Sequence, residues 1–289
     1  CDETAAAVVR GDGPVLSDVV ASQVETHRLQ GGVVPALASR NHIESIVPVV
    51  KGALDQAGTA WADLGAVGVT SRPGLVGALL VGLQAAKAIA FVRGLPLVGV
   101  NHLAGHVLAV FLKRGGEPPP PRPVFPFVAL LASGGHTILF KVESANRMLL
   151  MGQTRDDAAG EAFDKVAKLV GLGYPGGPVI DRRSEKGDPR AFRFPQAMRA
   201  KGSFEFSFSG VKTSVATFVA RRGVPEGGAL DDLCASFQHA MVEVLSKKAV
   251  AAAQHAGVKD VVLCGGGAAN RALRSRAAER CREAGLRLI

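Results

Sequence analysis

The chain has 289 residues, enough for two domains of ordinary size, and 47% of it is hydrophobic, so a sizeable core can form. Four cysteines without C-x-x-C spacing argue against a disulfide framework and predict reduced thiols in a cytoplasmic protein. The longest apolar runs, 73–86 and 125–140, are too short and too rich in glycine for a membrane span, and no signal peptide is found, so we expect no membrane association.

The formal charge of +9 is concentrated in residues 182–201. Only Glu185 and Asp188 oppose the cations there, and such a stripe suits a polyanion such as nucleic acid as well as it suits a solvated loop. The seven cations are Arg182, Arg183, Lys186, Arg190, Arg193, Arg199 and Lys201.

Periodicity and turn residues predict the elements in chain order. In the first lobe, 1–117, they indicate strands at 5–10, 15–22, 66–70 and 97–100, and helices at 39–57, 76–93 and 102–113. A proline-rich linker at 118–126 follows. The second lobe, 127–289, shows strands at 128–132, 137–142, 148–151 and 261–264. It also shows helices at 158–170, from Ser209, at 230–256 and at 268–284, and a half-buried strand at 204–208. Each lobe begins with strands and then alternates helices and strands. This order predicts an α/β fold like that of actin-like ATPases, with a cleft between the lobes.

His102 and His106 are four residues apart, directly after a predicted strand. Capped by Asn101, a helix places both imidazoles on one face, where they can share a metal ion. A capping and a core histidine would give the same spacing. Leu103 stands where a zinc peptidase needs its glutamate, so that class is disfavoured.

Two glycine turns, 133–137 and 265–267, follow buried strands and can present backbone N–H groups to an anion. Either could also be an ordinary structural turn. Asn270 lies in the first turn of the next helix, while Asp164 and Asp181 are candidate ribose ligands. Asp156, Asp157 and Glu161 are typical of a helix N-terminus, and Lys212 could face an anion.

Seven segments taken in order resemble one family, the tRNA N6-adenosine threonylcarbamoyltransferases. They are 1–4, 101–106, 133–137, 156–168, 174–178, 206–213 and 265–270.

The resemblance implies the two-lobed actin-like (ribonuclease H-like) fold. It also implies transfer of threonylcarbamoyl from threonylcarbamoyl-AMP to N6 of the adenosine 3′ to the anticodon, in tRNAs that read codons beginning with A. The implied cofactor is one divalent metal ion on His102 and His106, Fe(2+) by family habit, with Zn(2+) as an alternative. Asp2 and Glu3 would lie near the reacting carbonyl. The adenylate would be bound by Leu131, Ala132, Ser133, Gly134, Gly135, Asp164, Gly177, Asp181 and Asn270.

The implied partners are tRNA, an inactive paralogous subunit and a P-loop ATPase subunit of the bacterial type, in the bacterial cytoplasm or in a mitochondrion. The family also has a strand before the position of Cys1 and, after the position of Ile289, a Thr-Asp-Asn segment that supplies a third metal ligand. We therefore expect this chain to be a fragment. A small-molecule kinase of the same fold would need no histidine pair, and the inactive paralogue usually lacks it.

Overall fold

The computed structural model describes residues 2–28, 32–114, 121–196 and 202–289. The chain divides into two compact units, Cys1–Pro120 and Pro121–Ile289. The boundary lies inside the predicted proline-rich linker. Cys1, residues 118–120 of that linker, and Arg199 and Lys201 of the basic stretch lie outside the described residues.

The first unit contains two groups of paired strands. Strands β1 and β2 pair antiparallel and β2 continues parallel to β5, whereas β3 and β4 form a separate parallel pair. The elements are β1 (Glu3–Val9), β2 (Pro14–Ser22), α1 (Val24–Arg28), α2 (Pro35–Ala57), β3 (Val67–Arg72), α3 (Val76–Arg93), β4 (Leu97–Asn101), α4 (His102–Leu108) and β5 (Lys113–Arg114).

Helix α2 packs on β1, β2 and α3. It begins at Pro35, four residues before the predicted start, because proline in the first helical turn needs no hydrogen bond from its nitrogen. It ends at Gly58, whose left-handed backbone (φ 59°) directs its N–H back to the last carbonyls.

Helix α3 coincides with its predicted bounds, but it is far more exposed than a core helix. It is long and apolar enough to cross a membrane by length and composition, and only 11% of it is buried. Lys87 lies inside it, and a single such helix is weak evidence, because helices of soluble proteins pass the same test.

The predicted helix at 102–113 is wrong beyond Leu108. A 3-10 turn, Ala109–Phe111, follows α4, and the chain then enters β5, where Lys113 pairs with Pro14 of β2. Strand pairing with a distant segment, which periodicity cannot reveal, ends the helix early.

The second unit is built on a sheet with the order β10-β9-β6-β7-β8. Its elements are β6 (Phe127–Ala132), β7 (Thr137–Ser144), β8 (Arg147–Gln153), α5 (Ala159–Leu169), α6 (Gly176–Ser184), α7 (Ser209–Arg222), α8 (Gly227–Ala256), β9 (Asp260–Cys264), α9 (Arg271–Glu283) and β10 (Arg287–Leu288).

Strand β6 lies at the centre of this unit. Every residue from Phe127 to Ala132 is buried, as a continuous apolar run predicts for a strand covered on both faces. It pairs antiparallel with β7 and parallel with β9, and α8 packs against all three strands. Both glycine turns therefore emerge at one edge of the sheet, after β6 and after β9.

Two predictions in this unit are wrong. Residues 204–208 do not form a half-buried strand: Phe206 makes an isolated bridge to Thr154, and both Phe206 and Phe208 are buried in the core. Helix α6 begins at Gly176, inside the family segment 174–178. The last predicted helix begins at Arg271, since a 3-10 turn occupies Gly266–Ala269.

Candidate functional site

The turn after β6 leaves open space above two glycines. The N–H of Ser133 donates to the carbonyl of His136 (2.8 Å), and the Ser133 hydroxyl accepts from the N–H of His136 (3.1 Å). A Cβ atom added to Gly134 or Gly135 would meet nothing within 4 Å. The predicted turn is present, and its outer side is free to receive a ligand.

The turn after β9 packs tightly on the same edge. A Cβ atom at Gly265 would lie 2.5 Å from the Ala132 carbonyl oxygen, and one at Gly267 would lie 2.9 Å from it. Gly265 also has a positive φ of 83°. Only glycine allows this backbone to pass so close to the end of β6.

The start of α5 packs on the first glycine turn, and the start of α6 packs on α5. The N–H of Gly160 donates to the carbonyl of Ser133 (3.1 Å), and a Cβ atom there would lie 2.5 Å from that oxygen. Asp164 accepts from the N–H of Gly176, the first residue of α6, at 2.7 Å. The start of α5 thus meets the first glycine turn, and α5 contacts both α6 and the 3-10 turn before α9. The positive dipole end of a helix N-terminus favours a phosphate or nucleotide.

The structure shows the surroundings of three predicted adenosine ligands, and two of them hydrogen-bond to other side chains. Asp181 is buried and accepts from Arg271 Nε at 3.0 Å. Asn270 caps α9 by accepting from the N–H of Leu273 (2.8 Å) and donates to Gln238 Oε1 (2.7 Å). A Cβ atom at Gly177, beside Gly176, would meet nothing within 4 Å.

These contacts bring the predicted adenylate residues to one edge of the second unit. The buried residues Leu131 and Ala132 end β6 at this edge, and the two glycine turns lie beside them. Their roles in binding stay predictions, since geometry alone names no ligand.

Asp156 is a positioning residue that the sequence indicated only as a helix-terminal acid. It accepts from the hydroxyls of Ser207 (2.6 Å) and Ser209 (2.7 Å) and from the N–H of Phe208 (2.7 Å). Burial would raise its pKa, but these hydrogen bonds outweigh it and lower the pKa. Asp156 therefore holds the start of α7 beside the start of α5.

Lys212 faces a neighbouring carboxylate instead of open space. Its Nζ lies 2.5 Å from Asp157 Oδ2, and Lys165 Nζ lies 2.7 Å from Asp157 Oδ1. Burial would raise the pKa of Asp157, but hydrogen bonds and the charges of both lysines lower it. The three groups form a compact charged cluster.

In the first unit, the predicted metal ligands lie side by side. Asn101 caps α4 by accepting from the N–H of Leu103 (2.8 Å), as predicted. The Nε2 atoms of His102 and His106 are 3.1 Å apart. Two nitrogens bound at ~2.0–2.1 Å to one tetrahedral ion would lie roughly 3.3–3.4 Å apart. The pair therefore fits a shared metal ion, although the same distance suits a hydrogen bond between the rings.

No third ligand is visible in the described part of the chain, where no group of three or more His, Cys, Asp or Glu side chains could hold a metal ion. The predicted catalytic residues lie at the start of β1: the carbonyl of Asp2 accepts from the N–H of Gln23 (2.8 Å), and the exposed Glu3 pairs with Ser22. Nothing in the geometry tests their catalytic role.

A buried polar network behind β1 was not foreseen. Thr4 Oγ1 lies 2.7 Å from His42 Nδ1, and the fully buried His27 lies 3.2 Å from Gln23 Oε1. Burial lowers the pKa of His42, which favours the neutral ring.

Comparison with solved structures supports the predicted fold class. Component A of (R)-2-hydroxyglutaryl-CoA dehydratase from Acidaminococcus fermentans matches all of this chain and 91% of its own, with a TM-score of 0.51 at 16% identity. HypF of T. kodakarensis matches 84% of this chain and 40% of its own, with a TM-score of 0.58 at 11% identity. These likenesses concern the fold alone and confirm the α/β class of the actin-like ATPases. The cleft between the lobes stays a prediction.

Sequence comparison identifies the family. The family model "tRNA N6-adenosine threonylcarbamoyltransferase" matches residues 14–289. The protein of that name from Sorangium cellulosum is 59% identical over 100% of this chain and 83% of its own length, and the one from Anaeromyxobacter dehalogenans is 56% identical over 98% and 83%. The chain therefore belongs to the tRNA N6-adenosine threonylcarbamoyltransferase family.

Proposed function

We propose that this protein is an acyltransferase that moves the threonylcarbamoyl group from threonylcarbamoyl-AMP to N6 of the adenosine 3′ to the anticodon, in tRNAs reading codons that begin with A. The observation that carries the proposal is the 59% identity over the whole chain to a relative of that name. The edge of β6 and β9 supports it, because the start of α5 and two glycine turns meet there.

The reaction is an acyl substitution. The N6 amine attacks the carbamoyl carbon, a C–N bond forms, the bond from that carbon to the phosphate oxygen breaks, and AMP leaves with the electron pair while the amine loses a proton. AMP is a good leaving group, so the enzyme's main tasks are to orient the adenylate and to stabilise developing negative charge.

In this scheme the N–H groups of Gly134, Gly135 and Gly177 hold the adenylate phosphate and ribose, because those of Ser133 and Gly176 already donate to His136 and Asp164. Asp181 and Asn270, held by Arg271 and Gln238, orient the adenosine. The resemblance to the family gives Asp2 and Glu3 a role at the transferred group.

We also propose that His102 and His106 hold one divalent ion, Fe(2+) or Zn(2+), with further ligands from outside the described residues. Such an ion would supply Lewis-acid polarisation of the carbamoyl oxygen. The spacing of 3.1 Å between the two Nε2 atoms supports this assignment.

The partners are proposals as well. Helices α2 and α3 leave large apolar side chains exposed, among them Val47 (68%), Val76 (71%) and Phe91 (89%). Exposure on this scale suits a protein partner, and we assign the surface to the inactive paralogous subunit. A P-loop ATPase subunit would complete a complex that works where tRNA is modified, in the bacterial cytoplasm, with a mitochondrial location as the alternative.

The test is nucleoside mass spectrometry after the full-length protein and its partner subunits are incubated with threonylcarbamoyl-AMP and unmodified tRNA. We expect threonylcarbamoyladenosine only on tRNAs that read codons beginning with A. ATP-dependent phosphorylation of a metabolite by a metal-free protein, with no modified tRNA, would instead identify a small-molecule kinase.

A further inference from the structure

A groove of about 400 Å³ opens on the surface of the second unit, away from the glycine turns in sequence. Helix α7 forms one wall, and residues 191–194 of the basic stretch 182–201 form the other. The side chains that matter here are Phe192, Arg193, Phe194, Phe218, Arg221 and Arg222.

The aromatic wall is firmly positioned. The rings of Phe192 and Phe218 meet edge to face with centroids 4.9 Å apart, and Phe194 stacks beside Phe192 at 6.4 Å. The N–H of Phe192 donates to the Ser236 hydroxyl of α8 (3.1 Å). All three rings pack on the core yet stay partly exposed. The groove therefore presents apolar ring surface to solvent without having to rearrange.

The cationic wall is unneutralised. Arg193, Arg221 and Arg222 are exposed, and no carboxylate in the described ranges pairs with them. By contrast, Arg183 pairs with Asp231 (2.6 Å), so the basic stretch is only partly free. The Arg222 guanidinium lies 5.9 Å from the centroid of the Phe218 ring. Aromatic faces beside exposed guanidinium groups are the combination that binds single-stranded nucleic acid.

We propose that this groove binds a single-stranded segment of the tRNA substrate, with a base stacked on Phe218 or Arg222 and with phosphates at Arg193 and Arg221. The inference rests on the proposed function, which supplies a tRNA, and it assigns a surface to that substrate. Arg221 lies roughly 18 Å along α7 from Ser209, the residue that Asp156 ties to the adenylate edge. The groove can therefore grip the tRNA at a distance from the reacting adenosine.

The test measures affinity for a labelled, unmodified tRNA transcript as a function of salt, using the full-length protein with its partner subunits. Arg193→Ala/Arg221→Ala should flatten the slope of log affinity against log salt by roughly 1.4, because each phosphate that the protein neutralises on a single strand contributes about 0.7 to that slope. Phe218→Ala should weaken binding by roughly fivefold to a hundredfold.

The matched control is Lys259→Ala/Arg282→Ala. It removes the same charge from two exposed positions, one just before β9 and one in the last turn of α9. Neither side chain pairs with a carboxylate in the described part of the chain. The control should leave the salt slope unchanged. In every variant, affinity for threonylcarbamoyl-AMP and the circular dichroism spectrum should match wild type, which separates an effect on tRNA binding from a folding defect.

Two outcomes would overturn the inference in different ways. If wild type modifies tRNA while the groove variants keep its affinity and salt slope, the groove is not a tRNA site and the proposed function stands. If wild type makes no modified nucleoside, the proposed function fails and takes the groove assignment with it.

Discussion

Replacing Gly160 with alanine tests whether close packing builds the edge of the second unit at which we propose that the adenylate binds. The new Cβ atom would lie 2.5 Å from the Ser133 carbonyl oxygen and 2.8 Å from the Gly134 nitrogen. Because both neighbours are backbone atoms, the turn after β6 must move, and overpacking of this kind costs about 1–3 kcal/mol. We expect lower stability and an affinity for threonylcarbamoyl-AMP weakened by about tenfold or more, since each ~1.4 kcal/mol of lost binding is tenfold.

Gly210→Ala is the matched control. Gly210 is the second residue of α7, as Gly160 is of α5, but a Cβ atom there would meet nothing within 4 Å. Both substitutions gain helix propensity, up to ~1 kcal/mol, so the difference between the variants isolates the clash.

The assay is differential scanning calorimetry of both variants under identical conditions. At ~2–4 °C per kcal/mol, Gly160→Ala should melt about 2–12 °C below Gly210→Ala. Equal melting temperatures and equal adenylate affinities would refute the idea that this packing shapes the site.

Three further predictions concern other groups. His102→Ala/His106→Ala should lose its bound metal by mass spectrometry and its transfer activity, whereas the exposed control His239→Ala should keep both; retained metal would exclude the pair as ligands. Asp157→Asn should lower the free energy of unfolding by about 1.5–3 kcal/mol near neutral pH. Because the folded pKa of Asp157 is lowered, this advantage exists above the unfolded pKa and is lost as pH falls through the folded one, so urea titrations of both proteins should converge in acid. A gap independent of pH would contradict this. In a Cys1→Ser variant, the remaining thiols should resist a disulfide reagent at mildly alkaline pH until the protein unfolds, because burial raises their pKa to about 11, 12 and 11; rapid labelling of the folded protein would contradict it. The three thiols, in the order of these pKa values, belong to Cys234, Cys264 and Cys281.

Local chemistry made much of this fold predictable. The Asn101 cap, the bounds of α3 and the glycine turn after β6 depend on neighbouring residues, and each is found where it was predicted. The errors share another origin. Helix α4 ends early because β5 joins β2, and the phenylalanines at 206 and 208 share one core instead of alternating across a strand.

The candidate site likewise combines features set by neighbouring residues with features set by distant ones. The histidine pair and the glycine turns can be predicted from spacing, whereas the role of Asp156 depends on serines 51 and 53 positions away. No sequence pattern pointed to the arginines at 221 and 222 as nucleic-acid ligands. Their proposed role depends on the ring of Phe192, which lies on another segment and packs against α7. Pairwise interactions between distant segments are not encoded in any local pattern, so they had to come from the structure.

The pairing of β6 with β9 also bears on how the protein is made. Cys264 Sγ reaches the carbonyl of Leu130 across 134 positions of sequence (3.6 Å). During synthesis, the turn after β6 leaves the ribosome long before the turn that completes the edge. We propose that this edge binds the adenylate, so a nascent chain should be unable to bind it until β9 has emerged and docked. A chain released before that strand should have no affinity for the nucleotide.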